Sequence, residues 1–281
     1  DYTPHLDRLW KPTLGIIKFI SPGPWVFLPF LSGLGHRQDR QLMDEYFYQL
    51  ISHRRQTPPP TDETTPDLLT TLVHHTDWDD HLIRDQLITM FIAGHDTSTA
   101  LLAWTLYLIG CHPQTAHKLH DEIDTVIGSA EPQAHHLPQL KQLDHVIKES
   151  LRLYPPIHMG NRMAARDTTL HQCHIPANTR VMYSIYVSQR DANHWDEPHQ
   201  FCPARFDRQQ HKPSTAFSYL PFGGGPRNCI GATFAQIEAK IVLARILQRT
   251  KLTLTRPKIR LYMGATLEPR PGVLMSVQSR R

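Results

Sequence analysis

Three short stretches of the chain hold residue types that chemistry needs. The first, Phe222–Gly231, reads FGGGPRNCIG. Consecutive glycines Gly223, Gly224 and Gly225 remove side chains where a backbone must come close to another group. Cys229 stands where the following apolar run is predicted to begin a helix, and there the free N–H groups and the dipole favour a thiolate. Arg227 can offer a guanidinium fork to a carboxylate or phosphate. On these residues alone the stretch also reads as a glycine turn carrying an ordinary buried cysteine. A phosphate loop fits less well, because the lysine-hydroxyl ending and the preceding strand are missing.

The second stretch, KESLRLYPP, puts Glu149 and Arg152 three residues apart, on one face of a predicted helix and within reach of an ion pair. An isolated pair of this kind is usually a solvated surface contact of little energetic weight. The third, AGHDTS at Ala93–Ser98, lies in the middle of an apolar run. Ala93 and Gly94 thin a helix there, leaving room for a flat ligand or a local bulge. Asp96 and Thr97 put an acid and a hydroxyl into apolar surroundings, which is costly unless something uses them. Thr97 bonding back to the preceding turn is the simpler alternative.

These residues need elements to hold them. Residues 1–35 are rich in Pro, Gly and aromatics and read as loop and short helix. A helix is predicted over Arg37–Arg55, with apolar residues at helical spacing, and Gln56–Pro66 reads as a polar linker. The longest helical pattern runs over Asp79–Cys111 and is apolar nearly all round, which predicts burial on all sides. Pro113 opens an amphipathic helix to Ile127, and another covers Leu137–Leu153 before Pro155-Pro156. Short alternating runs over Met163–Val187 predict a small sheet. Asp191–Gly225 reads as a long ordered meander, Cys229–Arg249 as a last helix, and the C-terminus as weak strands. The fold class is mainly α with a minor β component. A single domain over 1–281 is expected, with cover helices and linker in 1–78 and the chemical elements in 79–281.

Composition sets the outer limits. With 40% hydrophobic and 20% charged residues the chain is globular rather than disordered. Thirty Lys and Arg against 26 Asp and Glu give only +4, dispersed along the chain, so nucleic acid is not an expected partner. Four cysteines without close spacing (Cys111, Cys173, Cys202, Cys229) argue against a disulfide framework. The histidine-rich run HHTDWDDH at His74–His81 contains no HExxH and is expected to be a solvated polar loop. The stretch PWVFLPFL at Pro24–Leu31 is short, broken by proline, and reads as an apolar entrance or core; a membrane-surface contact is a weaker alternative.

Taken together and in order, AGHDTS, the Glu149/Arg152 ExxR pair, FCPARF (Phe201–Phe206) and FGGGPRNCIG resemble the cytochrome P450 family of haem-thiolate monooxygenases. The resemblance covers the chain from Asp79 onward. It implies the P450 fold, haem b (iron protoporphyrin IX) as cofactor, and Cys229 as its axial metal ligand. Phe222, Gly223 and Gly231 would surround the sulfur, Arg227 and Arg162 would meet the propionates, and Ala93 and Gly94 would face the ring. Thr97 would hydrogen-bond dioxygen and Asp96 would relay protons, while His95 receives no role. Glu149, Arg152 and Arg205 would form a buried charged network locking the meander.

The resemblance further implies an apolar small-molecule substrate and NAD(P)H electrons delivered through an external ferredoxin with its reductase, or a flavoprotein reductase. A cytoplasmic location is expected. It also implies that the chain is the C-terminal, haem-binding portion of the fold, since no counterpart of the family's early Trp- and Arg-bearing helix is found. A partner-independent peroxygenase or isomerase is the enzymatic alternative, disfavoured by the joint presence of Asp96 and Thr97. A remnant that holds no haem is the non-enzymatic one.

Overall fold

The computed structural model describes residues 37–57, 66–74, 77–207 and 217–280. The apolar stretch Pro24–Leu31, the loop expected over residues 1–35 and most of the Gln56–Pro66 linker lie outside the described residues. Seven α-helices and eight strands are found among the described residues, with strands in the minority, as composition and periodicity predict. No helix among them is long and apolar enough to cross a membrane. The chain divides into two compact units, 1–96 and 97–281.

In the first unit, α1 (Arg37–Gln56) and α2 (Leu68–His74) accompany the start of the long helix α3 (Asp80–Cys111). Ile51 of α1 packs with Leu72, Val73 and Ile83, while Met43 and Phe47 meet Leu87, Ile88 and Phe91. Helix starts are capped by carboxylates. The Thr70 N–H donates to Asp67 Oδ1 at 2.7 Å, and the Leu82 N–H donates to Asp79 Oδ1 at 2.7 Å. Arg54 and Arg55 tie the helices together through Asp67 and Asp80, both at 2.6 Å. The histidine-rich run is only partly loop: His74 ends α2 and bonds the Arg54 carbonyl, and His81 lies in α3, bonded to Tyr48 Oη.

The second unit contains the rest of α3, α4 (Pro113–Val126), α5 (Lys141–Leu153), the single-turn α6 (Ile185–Ser188) and α7 (Ala232–Arg249). Leu101 and Ile109 of α3, Leu119 and Ile123 of α4, Leu143 to Leu151 of α5, and Leu243 and Leu247 of α7 fill one core. The predicted start of α5 at Leu137 is displaced. Residues Ala134–Gln139 form a tight 3-10 turn containing Pro138, whose missing N–H and fixed φ prevent a continuous α-helix. Two antiparallel hairpins follow α5. In one, β1 (Met159–Met163) pairs with β4 (Arg180–Ser184), Asn161 opposite Met182; in the other, β2 (Thr168–Leu170) pairs with β3 (Cys173–Ile175). At the C-terminus, β5 (Thr250–Leu254) pairs with β8 (Met275–Ser279), and β6 (Arg260–Met263) with β7 (Leu267–Arg270).

Burial of α3 departs from the prediction. Ile83 and the stretch from Ala100 to Ile109 include its buried residues, but Ala93 and Gly94 are exposed. A Cβ added at Gly94 would meet nothing within 4 Å. Ala93 and Gly94 therefore border open space, while Leu87, Ile88 and Phe91 earlier in the helix pack on Met43 and Phe47. The helix also runs through AGHDTS without a bulge.

Candidate haem-thiolate site

Cys229 is exposed, in a loop whose shape comes from backbone hydrogen bonds. Its N–H donates to the Phe222 carbonyl at 2.9 Å, and the Asn228 N–H donates to Gly225 at 3.0 Å. Between them Gly225–Arg227 make one 3-10 turn, with Gly223 at φ +77° and Gly225 at φ +71°. Both angles lie in the left-handed region, where a side chain is strained. The glycines thus have a backbone reason as well as an open approach. α7 begins at Ala232, with Gly231 preceding it, so Cys229 stands three residues before the helix instead of in its first turn. The three residues that the prediction gave to helix, Cys229–Gly231, are instead coil and turn.

Around the sulfur the surface is apolar and open. Ile230 is 88% exposed and Phe234 69%. A Cβ placed on Gly231 would sit 3.9 Å from Cys229 Sγ, so the residue after next crowds the thiol little. Phe222 is half-buried and packs on the core of the second unit. Arg227 is exposed and has no acidic partner among the described residues. Arg162, in β1, is exposed, donates to the Asn161 carbonyl at 2.8 Å and lies over the Tyr183 ring.

Behind the loop lies a buried charged network. Glu149 and Arg152 are fully buried and Arg205 nearly so. Arg152 Nε meets Glu149 Oε2 at 2.8 Å, Arg152 Nη2 meets Oε1 at 2.9 Å, and Arg205 Nε meets Oε1 at 3.0 Å. The Cys202 N–H donates to the same oxygen at 2.9 Å. The remaining guanidinium hydrogens go to meander carbonyls: Gln189, Pro198 and Gln200 for Arg152, Asp196 for Arg205. Charges buried this deeply persist only with full hydrogen bonding, which they have.

Two further residues, missed in the sequence, connect this network to the cysteine loop. Gln189, fully buried, donates to the carbonyls of Leu151 and Arg152 at 3.0 Å each and accepts from the Leu220 N–H at 2.9 Å. Trp195 holds its ring 5.1 Å from the Arg152 guanidinium and 5.9 Å from that of Arg205. Its indole N–H donates to the Ser218 carbonyl at 3.2 Å. Both reach the segment that enters the Cys229 loop, so the loop and the ion network share hydrogen-bond partners.

On α3, Ala93, Gly94 and Asp96 belong to the first unit and Thr97 to the second. His95, given no role in the sequence, contacts Asp96: its Nδ1 is 2.8 Å from Asp96 Oδ1, both side chains about a quarter exposed. Ser98 Oγ donates to Glu238 Oε2 of α7 at 2.7 Å. Glu238 was not legible as a site residue either, since its partner is 140 positions away.

Residues 16–275 match the family model described as Cytochrome P450. Among curated relatives, Cytochrome P450 4d2 of Drosophila melanogaster is 33% identical over 281 residues, covering 91% of this chain and 56% of that protein. Protein LUTEIN DEFICIENT 5, chloroplastic, of Arabidopsis thaliana is 36% identical over 203 residues, 70% of this chain and 34% of the other. Cytochrome P450 3A13 of Mus musculus is 36% identical over 199 residues, 69% of this chain and 40% of the other. The chain spans about half, or less, of the length of these relatives. A haem-thiolate group fits the residues present. An open thiol, a cradle without Cβ atoms at Gly223 and Gly225, exposed apolar neighbours and the exposed Arg227 suit a flat, apolar ring with carboxylate arms.

Proposed function

Because the chain belongs to the cytochrome P450 family, we propose that it is the haem-binding portion of a monooxygenase that inserts one atom of dioxygen into an apolar substrate. The observation that supports this best is the open Cys229 thiol on a loop hooked through Gln189 and Trp195 to the buried Glu149–Arg152–Arg205 network. When bound, haem supplies the redox centre for dioxygen activation, and a thiolate ligand pushes electron density toward O–O cleavage.

The chain's own residues bind and orient. Cys229 Sγ would hold the haem iron as a thiolate, and Phe222 with Gly223 and Gly231 would shape the space beside it. Arg227 and Arg162 offer charge-assisted hydrogen bonds to the propionates. Ala93 and Gly94 carry little side-chain bulk on α3, which would suit the approach of a flat group. The Thr97 hydroxyl holds a proton, and the Asp96 carboxylate passes protons to it. His95 Nδ1, in contact with Asp96 Oδ1, gives that carboxylate a neighbour able to exchange one. Glu149, Arg152 and Arg205 have a structural role, fixing the meander under the loop.

Electrons come from NAD(P)H through a separate ferredoxin or flavoprotein reductase. The test is isotopic. Chain loaded with haem and supplied with an electron donor under ¹⁸O₂ should place one labelled atom in an apolar product. Label arriving only from hydrogen peroxide, with no dependence on the donor, points to the peroxygenase alternative instead.

A further inference from the structure

A second concavity lies on the C-terminal hairpin, away in sequence from every residue assigned above. It has a volume of about 620 Å³ and is lined by Arg256, Lys258, Arg260, Leu261, Tyr262 and Arg270, among others. That volume falls within the range of roughly 300–1,000 Å³ typical of small-molecule sites.

Its charge is one-sided. Four of the lining residues are cations, and Arg256, Lys258 and Arg260 have no acidic partner among the described residues. Arg270 has one, Glu268, at 3.6 Å. In the β6–β7 register Arg260 stands directly opposite Arg270. Like charges facing each other across a strand pair destabilise it. An anion between them would remove that repulsion and gain charge-assisted hydrogen bonds from both guanidinium forks.

The remaining lining is apolar. The Arg270 guanidinium lies 3.4 Å from the Tyr262 ring centroid, and Leu261 contributes to the lining. Arginine and lysine stems add further apolar surface below their charged heads. The loop that carries Arg256 and Lys258 is pinned. Thr255 donates to the Leu274 carbonyl through both its N–H and its hydroxyl, at 3.0 and 2.9 Å, and Tyr107 Oη donates to the Pro257 carbonyl at 3.0 Å. A site held in place before binding loses less entropy when the ligand arrives.

We propose that this concavity binds an amphiphilic carboxylate, with its anionic head among Arg256, Arg260 and Arg270 and its apolar body along Tyr262 and the arginine and lysine stems. Binding there requires no haem, and loss of affinity on substituting the lining cations separates it from uptake at the cysteine site.

Calorimetric titration of the full chain with dodecanoate, below its micelle concentration, tests this. One saturable site is expected, weakening on addition of salt, with dodecanol binding at least about tenfold more weakly because it lacks the charge. Arg256→Glu with Arg260→Glu should abolish the site. The milder Arg256→Gln with Lys258→Gln should weaken it by about tenfold while leaving the far-UV spectrum unchanged. Dodecanol binding as tightly as dodecanoate, or affinity indifferent to both double variants, overturns the proposal. Binding to phosphatidylserine vesicles with no uptake of free dodecanoate overturns it in favour of a lipid surface.

Discussion

The Arg152 guanidinium and the Glu149 carboxylate meet fork to fork, at 2.8 and 2.9 Å, with neither side chain exposed to solvent. Arg205 approaches the same carboxylate from the meander at 3.0 Å. Two cations share one anion, so the network is sensitive to which member is removed. Glu149→Ala would strand both guanidinium groups and should cost about 3–5 kcal/mol. Glu149→Gln keeps the shape and one acceptor and should cost less. Denaturant unfolding of the two variants checks the order.

Gln189 is the hinge pin between that network and the cysteine loop. Gln189→Leu leaves the Leu220 N–H and two carbonyls without their partner, a loss of about 1–3 kcal/mol. The loop should loosen with it: hydrogen exchange at Leu220 and Cys229 should accelerate more than exchange in α4.

The fork between Glu149 and Arg152 was legible because three positions along a helix place two side chains on one face. The limits of α3, predicted from Asp79 and found from Asp80, were legible because a long apolar run interrupted by neither proline nor linker has few alternatives. Gln189 and Trp195 were not. They act on backbone carbonyls, and hydrogen bonds to carbonyls leave no period or charge pattern in a sequence. His95 was passed over because it sits at a variable position of the motif, and its 2.8 Å contact with Asp96 joins adjacent residues, which a helical spacing rule does not anticipate. The start of α7 was placed three residues early because the turn over Ile230 and Gly231 belongs to loop geometry, which an apolar run does not reveal.

Two glycines should respond in opposite senses. Gly225 sits at φ +71° with open space where a methyl group would go, so Gly225→Ala should cost about 1–2 kcal/mol through backbone strain alone. Gly94 is helical and faces open space, so Gly94→Ala should raise thermal stability, by about 0.5–1 kcal/mol.

Acid should weaken the fold in two stages. Burial pushes the pKa of His158 below 6.5, and its Nδ1 has no partner among the described residues. Protonation is therefore easier in the unfolded chain, so stability is present above about pH 6.5 and is lost as pH falls below it. For Asp144, burial raises the pKa, but Lys148 and Lys240, each 2.6 Å away, together hold it below 3.8. Its contribution is present above pH 3.8 and disappears as pH falls through its folded value. Burial also lowers the pKa of His120, and the Arg54 hydrogen bond also holds Asp67 low, so thermal unfolding followed against pH should show a smaller first stage in His158→Asn and a smaller second in Asp144→Asn.

The Ser98–Glu238 contact joins α3 to the helix that follows Cys229. Ser98→Ala should remove a hydrogen bond to a charged acceptor, worth about 1.5–3 kcal/mol, whereas Ser98→Thr should retain it. A melting temperature that falls equally in both variants would count against the contact.

The reduced, carbon monoxide-bound spectrum of the haem-loaded chain is the most direct measurement. A red-shifted Soret band, characteristic of thiolate ligation, is expected in the unaltered protein and in Cys111→Ala, and should vanish in Cys229→Ala. A chain that takes up haem but shows no red-shifted band, or a band unchanged in Cys229→Ala, contradicts Cys229 as the axial ligand.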